Sequence, residues 1–388
     1  MRRDEFVKMC SLLGISMPFQ SVLASCKPND SDAITNFKGT VLIIGAGAAG
    51  MTAGYLLNQR GIDFQILEAS SGHGGRIKTN TDFADFPIPL GAEWLHVRRG
   101  IFDEIINNPS IEVDVQTTPY DPNVDYALFE GMQISMKDVG FTIDQKFVNS
   151  SWYHFYEKYV FPSIRDQISY NQIVTSIDYA DNRVLVNTSD DSFSADKVIC
   201  TVPVKTLQNG AIAFSPALPK SKLDAIEEVT VWDGFKAFIE FSEKFYPAAV
   251  AFDIQPESAG QKLYYDAAYG QNSDRHILGL FTVGSGTLPY RELPDGELIN
   301  FMLNELDSIF DNQASPNYIS HITQNWNEEP FIEGAYIHDN EDWRKLRTLG
   351  ESVDNTLFFA GSAYTEGNDW SSVHTAARSA IRAVNEIL

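Results

Sequence analysis

The sequence predicts an α/β protein of two domains, the first of which contains a strand–helix–strand unit. Thr40–Ile44 is a short apolar run between Gly39 and Gly45, which is typical of a buried parallel strand. A helix is expected over 51–60 and a second strand over 63–67. Beyond the first hundred residues the sequence is mixed and aromatic and then rich in strand-like segments, which indicates a second domain with a mixed sheet.

A glycine-rich turn joins the first strand to the first helix. Gly45, Gly47 and Gly50 have the spacing G-x-G-x-x-G, with Ala49 inside it. Gly45 permits the tight turn, Gly47 lets the backbone approach a pyrophosphate, and Gly50 lets the helix and the strand pack closely. Glu68 ends the second strand, where a carboxylate hydrogen-bonds a ribose hydroxyl. The sequence therefore predicts a Rossmann-like domain that binds FAD or NAD in preference to NADP.

A second glycine-rich segment distinguishes FAD from NAD. Glu68 and Ala69 are followed by Gly74, Gly75 and Arg76. This pattern resembles the E-A-x(n)-G-G-R segment of the flavin-containing amine oxidase family, which includes monoamine oxidases, polyamine oxidases and lysine-specific demethylases. The resemblance implies that the loop covers the FAD pyrophosphate and that the arginine supplies charge and hydrogen bonds there. A surface loop with a solvated arginine is the alternative.

Other segments that resemble this family occur in the same order, from about residue 40 onward. They are Leu90–His96 with Glu93 and Trp94, 196–203 preceded by Val174, 326–336, Gly361 with Ser362, and Val373 with His374. The resemblance implies that Trp94 lies near the flavin, that Val174 contacts adenine and that Gly361 opens the C-terminal FAD loop. The C-terminal loop has no cysteine, so non-covalent FAD is expected.

Lys236 is the principal catalytic candidate. It lies in a strand-like segment similar to the family's K-V-x-L-x-F strand, whose lysine holds a water against flavin N5. Such a lysine needs burial, which lowers its pKa; an outward-facing strand lysine is the alternative. Tyr336 and Trp370 match aromatic residues that orient the substrate amine, and core packing is the alternative for each. Glu93 is either a ligand for a distal substrate cation or a solvated or cofactor-facing carboxylate.

Two features of the sequence depart from the family pattern. Ser362 stands where the family usually has a glutamate, and the segment 101–170 is shorter than usual, so a reduced helical part is expected in the substrate domain. The resemblance implies hydride transfer from an amine α-carbon to flavin N5, with reoxidation by O2 to H2O2. The alternatives are a flavin-dependent desaturase or oxidase of a non-amine, and a lipoprotein that binds FAD without turnover.

The predicted domains are discontinuous. The FAD-binding domain comprises 39–100, 171–232 and 346–388, and the substrate domain comprises 101–170 and 233–345. Helices are expected at 102–107, 152–169, 292–310 and 371–388, and strands at 172–179, 183–187, 197–201, 235–241, 276–283 and 356–359.

The N-terminus is predicted to be an export signal. Arg2 and Arg3 precede a weakly apolar stretch that ends at Cys26, in a context that resembles a bacterial lipobox. We expect a signal over 1–26, a tether over 27–38, and an exported protein, periplasmic or anchored to a membrane only by a lipid at Cys26. An N-terminal helix of the mature protein is the alternative.

The composition argues against several classes of partner and cofactor. The formal net charge of −23 at pH 7 disfavours nucleic acid and anionic membranes as partners. It suits a cationic amine, although a solvated acidic surface explains it as well. The cysteines lack metal-ligand spacing, so no metal is expected.

Overall fold

The computed structural model describes residues 37–136, 144–253, 256 and 259–388. The predicted export signal and nearly all of the predicted tether lie outside the described residues. Within the described ranges, no helix is long and apolar enough to cross a membrane.

The described chain alternates short strands and helices. The strands are β1 (Thr40–Ile44), β2 (Asp63–Leu67), β3 (Thr79–Asn80), β4 (Ile88–Pro89), β5 (Trp94–Leu95), β6 (Thr117–Pro119), β7 (Tyr126–Phe129), β8 (Met132–Ser135), β9 (Gln145–Phe147), β10 (Ile168–Ser169), β11 (Val174–Asp178), β12 (Val184–Thr188), β13 (Ser192–Ala195), β14 (Lys197–Cys200), β15 (Ala213–Ser215), β16 (Gly234–Phe241), β17 (Ala249–Ala251), β18 (Gly260–Asp266), β19 (His276–Gly284), β20 (Tyr318–Asn325) and β21 (Leu357–Phe359). The helices are α1 (Ala48–Gln59), α2 (Gly100–Ile106), α3 (Trp152–Tyr159), α4 (Val204–Gln208), α5 (Lys220–Glu228), α6 (Leu288–Arg291), α7 (Asp295–Ile309), α8 (Ala314–Asn317), α9 (Trp343–Gly350) and α10 (Val373–Ile387).

A parallel five-stranded sheet forms the first domain. Its order is β10-β2-β1-β14-β21, so distant chain segments meet in one sheet. Along β1, Val41 and Ile43 pack into one core with α1 and α10, whereas Leu42 and Ile44 pack into a second core on the opposite face. Both faces are covered, which explains the continuous apolar run that predicted the strand.

The second domain is built on a seven-stranded sheet with the order β20-β16-β19-β18-β17-β7-β8. The strand β16 is buried along its whole length. Phe235 and Ala237 belong to a core that also contains residues of α7, whereas Phe238 belongs to a different core. Successive side chains of a strand point to opposite faces, so Lys236 lies on the face opposite Phe235 and Ala237.

The packing does not follow the predicted domain boundary at residue 170. The strand β7 pairs with β17 in the seven-stranded sheet, as expected for the substrate domain. However, β10 pairs with β2, and apolar residues of α2 and α3 join the core that contains α1. Part of 101–170 therefore packs on the parallel sheet.

The helix predicted over 152–169 is shorter than expected. α3 ends at Tyr159 and is followed by two single 3-10 turns, the first of which contains Pro162. Proline has no backbone N–H and its ring clashes with the preceding helical turn, so it cannot continue the helix.

Candidate active site

A single large cavity brings the predicted site residues together. Its volume is about 960 Å³, near the upper end of the usual range for ligand pockets, roughly 300–1,000 Å³. All of the predicted cofactor and catalytic residues except Gly50 line it. These are Gly45, Gly47, Ala49, Glu68, Ala69, Gly75, Arg76, Glu93, Trp94, Val174, Lys236, Tyr336, Gly361, Ser362, Trp370 and Val373.

The glycine turn has the geometry that its sequence predicts. Gly45 has a φ of +102°, which favours glycine. A Cβ on Gly50 would lie 1.9 Å from the Gly45 carbonyl oxygen, so only glycine allows α1 to start so close to β1. A Cβ on Gly47 would meet no other part of the described chain within 4 Å. Gly47 therefore borders open space in the cavity, where a pyrophosphate fits against the backbone.

The Glu68 carboxylate is fixed at the end of β2 by backbone groups. Its oxygens accept hydrogen bonds from the N–H of Ala46 at 2.6 Å and of Ser70 at 2.9 Å. These bonds orient the carboxylate toward the cavity that it lines. Each oxygen can accept a further hydrogen bond, so the group is suited to hold a ribose hydroxyl. The first turn of α1 follows directly after Gly47 and, among the described residues, has no side-chain cap; its N–H groups suit an anion.

Arg76 joins two distant segments across the cavity wall. Its guanidinium donates to the Ala335 carbonyl and, at 3.3 Å, to the Ser362 hydroxyl. Burial lowers the pKa of Arg76, but a guanidinium remains protonated in proteins. The cavity wall therefore carries a fixed positive charge close to the glycine turn. This charge and the open space beside Gly47 make the residues present a good fit to FAD.

Lys236 is buried in the cavity wall and is not an outward-facing strand lysine. Its ammonium donates to the Glu93 carboxylate at 2.7 Å and to the carbonyls of Pro89 at 2.8 Å and Gly91 at 3.2 Å. Burial lowers the pKa of Lys236, whereas the Glu93 carboxylate opposes this effect. Glu93 is only 4% exposed, which rules out the solvated carboxylate.

Both oxygens of Glu93 are held by cations. Oε1 accepts from Lys146 at 2.6 Å and Oε2 accepts from Lys236, while the Tyr265 hydroxyl also donates to Oε2. Burial raises the pKa of Glu93, but the charges and hydrogen bonds of the two lysines outweigh this and lower it. Because its charge is already matched by two ammonium groups, Glu93 is poorly suited to bind a substrate cation.

Tyr336 and Trp370 line the same cavity from different segments. The Tyr336 ring packs against the Trp232 ring with centroids 5.8 Å apart. Burial, with a further effect of Asp339, raises the pKa of Tyr336 well above its ordinary value, so the phenol stays neutral. The Trp370 indole N–H donates to the His338 carbonyl at 3.1 Å. Both rings are fixed by neighbours and partly exposed, which is compatible with contact to a ligand.

Acidic side chains and one histidine also line the cavity. Asp339, Asp369 and His96 are part of its wall. His96 Nδ1 lies 2.9 Å from a carboxylate oxygen of Asp144. Burial lowers the pKa of His96, but Asp144, Asp369 and Asp339 outweigh it and raise the pKa. The electrostatics of this region therefore favour a cation.

Sequence reasoning missed several residues around the site. Lys146 and Tyr265 contact Glu93, and Thr201 of the cavity wall donates to the Ile44 carbonyl at 2.7 Å. Lys146 lies in no recognisable motif, so only the pairing of β9 with β5, which places it opposite Trp94, reveals its position. In the described part of the chain, no group of three or more His, Cys, Asp or Glu side chains is arranged to hold a metal.

With the fold and the cavity defined, comparison with known proteins identifies the class. The model of the family described as flavin-containing amine oxidoreductase matches residues 162–388, and a model of an NAD(P)-binding Rossmann-like domain matches residues 43–104. The first match covers more than half of the chain. The chain therefore belongs to the flavin-containing amine oxidoreductase family.

Particular relatives refine this assignment. Lysine-specific histone demethylase 1B of Mus musculus is 30% identical over 197 residues, which cover 49% of this chain and 24% of the demethylase. Polyamine oxidase 4 of Oryza sativa subsp. japonica is 24% identical over 440 residues, covering 89% of this chain and 88% of the oxidase. The chain thus spans about a quarter of the length of the demethylase but most of the length of the polyamine oxidase.

The fold is also that of a solved putrescine oxidase. The wild-type putrescine oxidase bound to putrescine superimposes with a TM-score of 0.71 at 15% identity, covering 90% of this chain and 99% of that chain. At this level of identity the similarity concerns the fold. It shows that the Rossmann-like domain and the mixed-sheet domain are combined as they are in that oxidase.

Proposed function

We propose that the chain is an FAD-dependent amine oxidase that holds FAD without a covalent bond. One observation carries the proposal: the dinucleotide cradle and the predicted catalytic residues line one cavity. Gly47 and Glu68 belong to the part of the cavity that suits a dinucleotide, while Lys236, Tyr336 and Trp370 are the predicted catalytic residues.

The residues that would hold FAD come from distant segments of the chain. The Gly45–Gly50 turn and the Arg76 guanidinium suit the pyrophosphate, and Glu68 suits the ribose. Bound FAD would supply the redox chemistry, accepting a hydride from the amine α-carbon at N5 and passing the electrons to O2 to give H2O2.

The cavity lining supports an amine as the substrate. Asp339 and Asp369 attract an ammonium ion from solution, because acidic cavity walls concentrate cations. Hydride loss requires the neutral amine, so the substrate must give up a proton before it reacts. The neutral Tyr336 phenol and the Trp370 ring supply apolar faces against which that amine can be oriented. Lys236 is a buried basic side chain of the same wall and is suited to hold or transfer a proton there.

Anaerobic mixing of the FAD-loaded protein with amines tests the proposal. Putrescine, a longer polyamine and a monoamine would each be added, and the loss of flavin absorbance would be followed. We expect at least one of them to bleach the flavin and admission of O2 to restore the colour with formation of H2O2. If none of these compounds reduces the flavin, the amine oxidase proposal fails.

A further inference from the structure

Two buried lysines share one carboxylate next to the cavity. Lys146 is 2% exposed, Lys236 is 3% exposed and Glu93, between them, is 4% exposed. The Lys146 Nζ lies 2.6 Å from Glu93 Oε1, and the Lys236 Nζ lies 2.7 Å from Glu93 Oε2. Glu93 and Lys236 line the cavity, and Lys146 approaches Glu93 from the neighbouring strand β9.

Each ammonium has enough acceptors for all of its protons. In addition to Glu93, Lys146 donates to the carbonyls of Ala267 at 3.1 Å and Asp266 at 3.4 Å. Lys236 has the corresponding pair of carbonyl acceptors at Pro89 and Gly91. An ammonium has three N–H groups, so both lysines are fixed in place by three contacts. The fold therefore holds both ammonium groups of the cluster in defined positions.

The cluster contains more positive than negative charge. Two ammonium groups face a single carboxylate. The Tyr265 and Tyr120 hydroxyls nearby stay protonated, because burial raises their pKa well above the ordinary value.

Two further carboxylates near the cluster have other cations as partners. The Asp266 carboxylate is paired with Lys244 at 2.6 Å. Gln324 of β20 lies opposite Lys236 of β16 and donates to Glu329. The Glu329 carboxylate is paired with Lys78. A third carboxylate, Asp144, lies two residues before Lys146, is buried and contacts His96. Of the carboxylates named here, only Glu93 pairs with the two lysines of the cluster.

We propose that Lys146 is a positioning residue for Lys236, which acts through the shared Glu93 carboxylate and sets the protonation state in which Lys236 meets the cavity. With Lys146 in place, the Glu93 carboxylate is shared by two ammonium groups. It therefore stabilises the charged form of Lys236 less than it would if it were paired with Lys236 alone. The positive charge of Lys146 also disfavours the charged form of Lys236 directly, which lowers the pKa of Lys236. Removal of that charge leaves Lys236 as the only ammonium group bound to the Glu93 carboxylate, alongside the neutral Tyr265 hydroxyl, and Lys236 then keeps its proton to higher pH.

The test is a pH titration of flavin absorbance in the FAD-loaded protein. The transition that disappears in Lys236→Met is assigned to Lys236. We expect Lys146→Met to move this transition upward by about 1–3 pH units, the usual effect of one neighbouring charge. Lys146→Arg keeps the charge and should leave the midpoint nearly unchanged. Lys146→Gln keeps a donor for the Ala267 carbonyl but lacks the charge, so its midpoint should move upward as in Lys146→Met. It replaces Lys146→Met in the experiment if the Met variant does not fold.

Two results would overturn the proposal. In one, the neutral variants lose thermal stability but keep the wild-type midpoint, which makes Lys146 merely structural. In the other, no transition is lost in Lys236→Met, so Lys236 does not titrate beside the flavin. The proposed role of Lys146 rests on the proposed function only in that amine oxidation is the reaction that Lys236 serves. Failure of every amine to reduce the flavin would refute that function but leave the titration readable.

Discussion

Arg76 and Ser362 are 286 residues apart in the chain, yet the Arg76 guanidinium donates a hydrogen bond of 3.3 Å to the Ser362 hydroxyl in the wall of the cavity. The family pattern usually has a glutamate at the position of Ser362. A serine at this contact orients the guanidinium without neutralising it. The positive charge is then available to an anionic ligand such as a pyrophosphate.

Arg76→Met should therefore weaken FAD binding by about 10- to 100-fold, the scale for loss of a hydrogen bond to a charged group. Ser362→Ala should change the affinity for FAD by less than about 3-fold, because the hydrogen bond from Arg76 to Ser362 is long and Arg76 keeps its hydrogen bond to the Ala335 carbonyl. Fluorescence titration of the apoprotein with FAD measures both. Equal losses in the two variants would show that the hydroxyl, and not the charge, matters here.

Gly47→Val should abolish FAD loading, because the new side chain would project into the open space beside the turn. Gly72→Ala is the matched control, since its added Cβ also meets no other part of the described chain within 4 Å and Gly72 does not line the cavity. The flavin absorbance of each purified variant reports the loading. A yellow Gly47→Val protein would contradict the assignment of the turn to the pyrophosphate.

Lys236→Met should retain FAD and slow turnover by about 10²-fold or more, the usual scale for loss of a proton-handling group. Lys262→Met, on β18 of the same sheet, should turn over normally, because Lys262 lies outside the cavity lining and pairs with Glu305. Stopped-flow measurement of the reductive and oxidative half-reactions would identify the step affected. Wild-type turnover in Lys236→Met would limit Lys236 to a structural role.

Glu93→Gln should destabilise the protein at pH 7 by about 3–5 kcal/mol, because it leaves two buried ammonium groups without their anion. The folded-state pKa of Glu93 is lowered, so the stability that its carboxylate contributes is fully present above about pH 4.3, the ordinary value. This contribution is lost as the pH falls through the lower folded-state value. The free energy of unfolding of the variant should therefore approach that of the wild type in acid.

Urea unfolding across this pH range measures the effect. Glu329→Gln is a suitable control, since its ion pair with Lys78 is partly exposed and should contribute at most about 1 kcal/mol. A difference between wild type and Glu93→Gln that stays constant with pH would mean that the Glu93 carboxylate is not the titrating group.

We propose that Cys26 is an acylated membrane anchor, on the basis of its lipobox-like context. Cys26→Ser should move the protein from the membrane fraction to the soluble fraction. Fractionation of cells that express each form, with mass spectrometry of the mature N-terminus, provides the measurement. Unchanged fractionation, or a mature chain that keeps Met1, would refute the anchor.

The backbone geometry of the glycine turn was predictable from sequence, whereas the environment of Lys236 was not. Gly45, Gly50 and Glu68 act through the local backbone of one turn and two short elements, so their spacing encodes their geometry. Lys146 reaches Glu93 only because β9 pairs with β5. Such strand pairing depends on tertiary packing and leaves no local signal.

The position of β14 between β1 and β21 also constrains the order in which the protein can assemble. A nascent chain that has emerged only to residue 350 can place β14 beside β1 but leaves the other edge of β14 unpaired, and such an edge is prone to intermolecular pairing. The core between α1 and α10 is equally incomplete at that stage, because Val373–Ile387 closes it. The parallel sheet and the core beneath it are therefore complete only after β21 and α10 have both been synthesised.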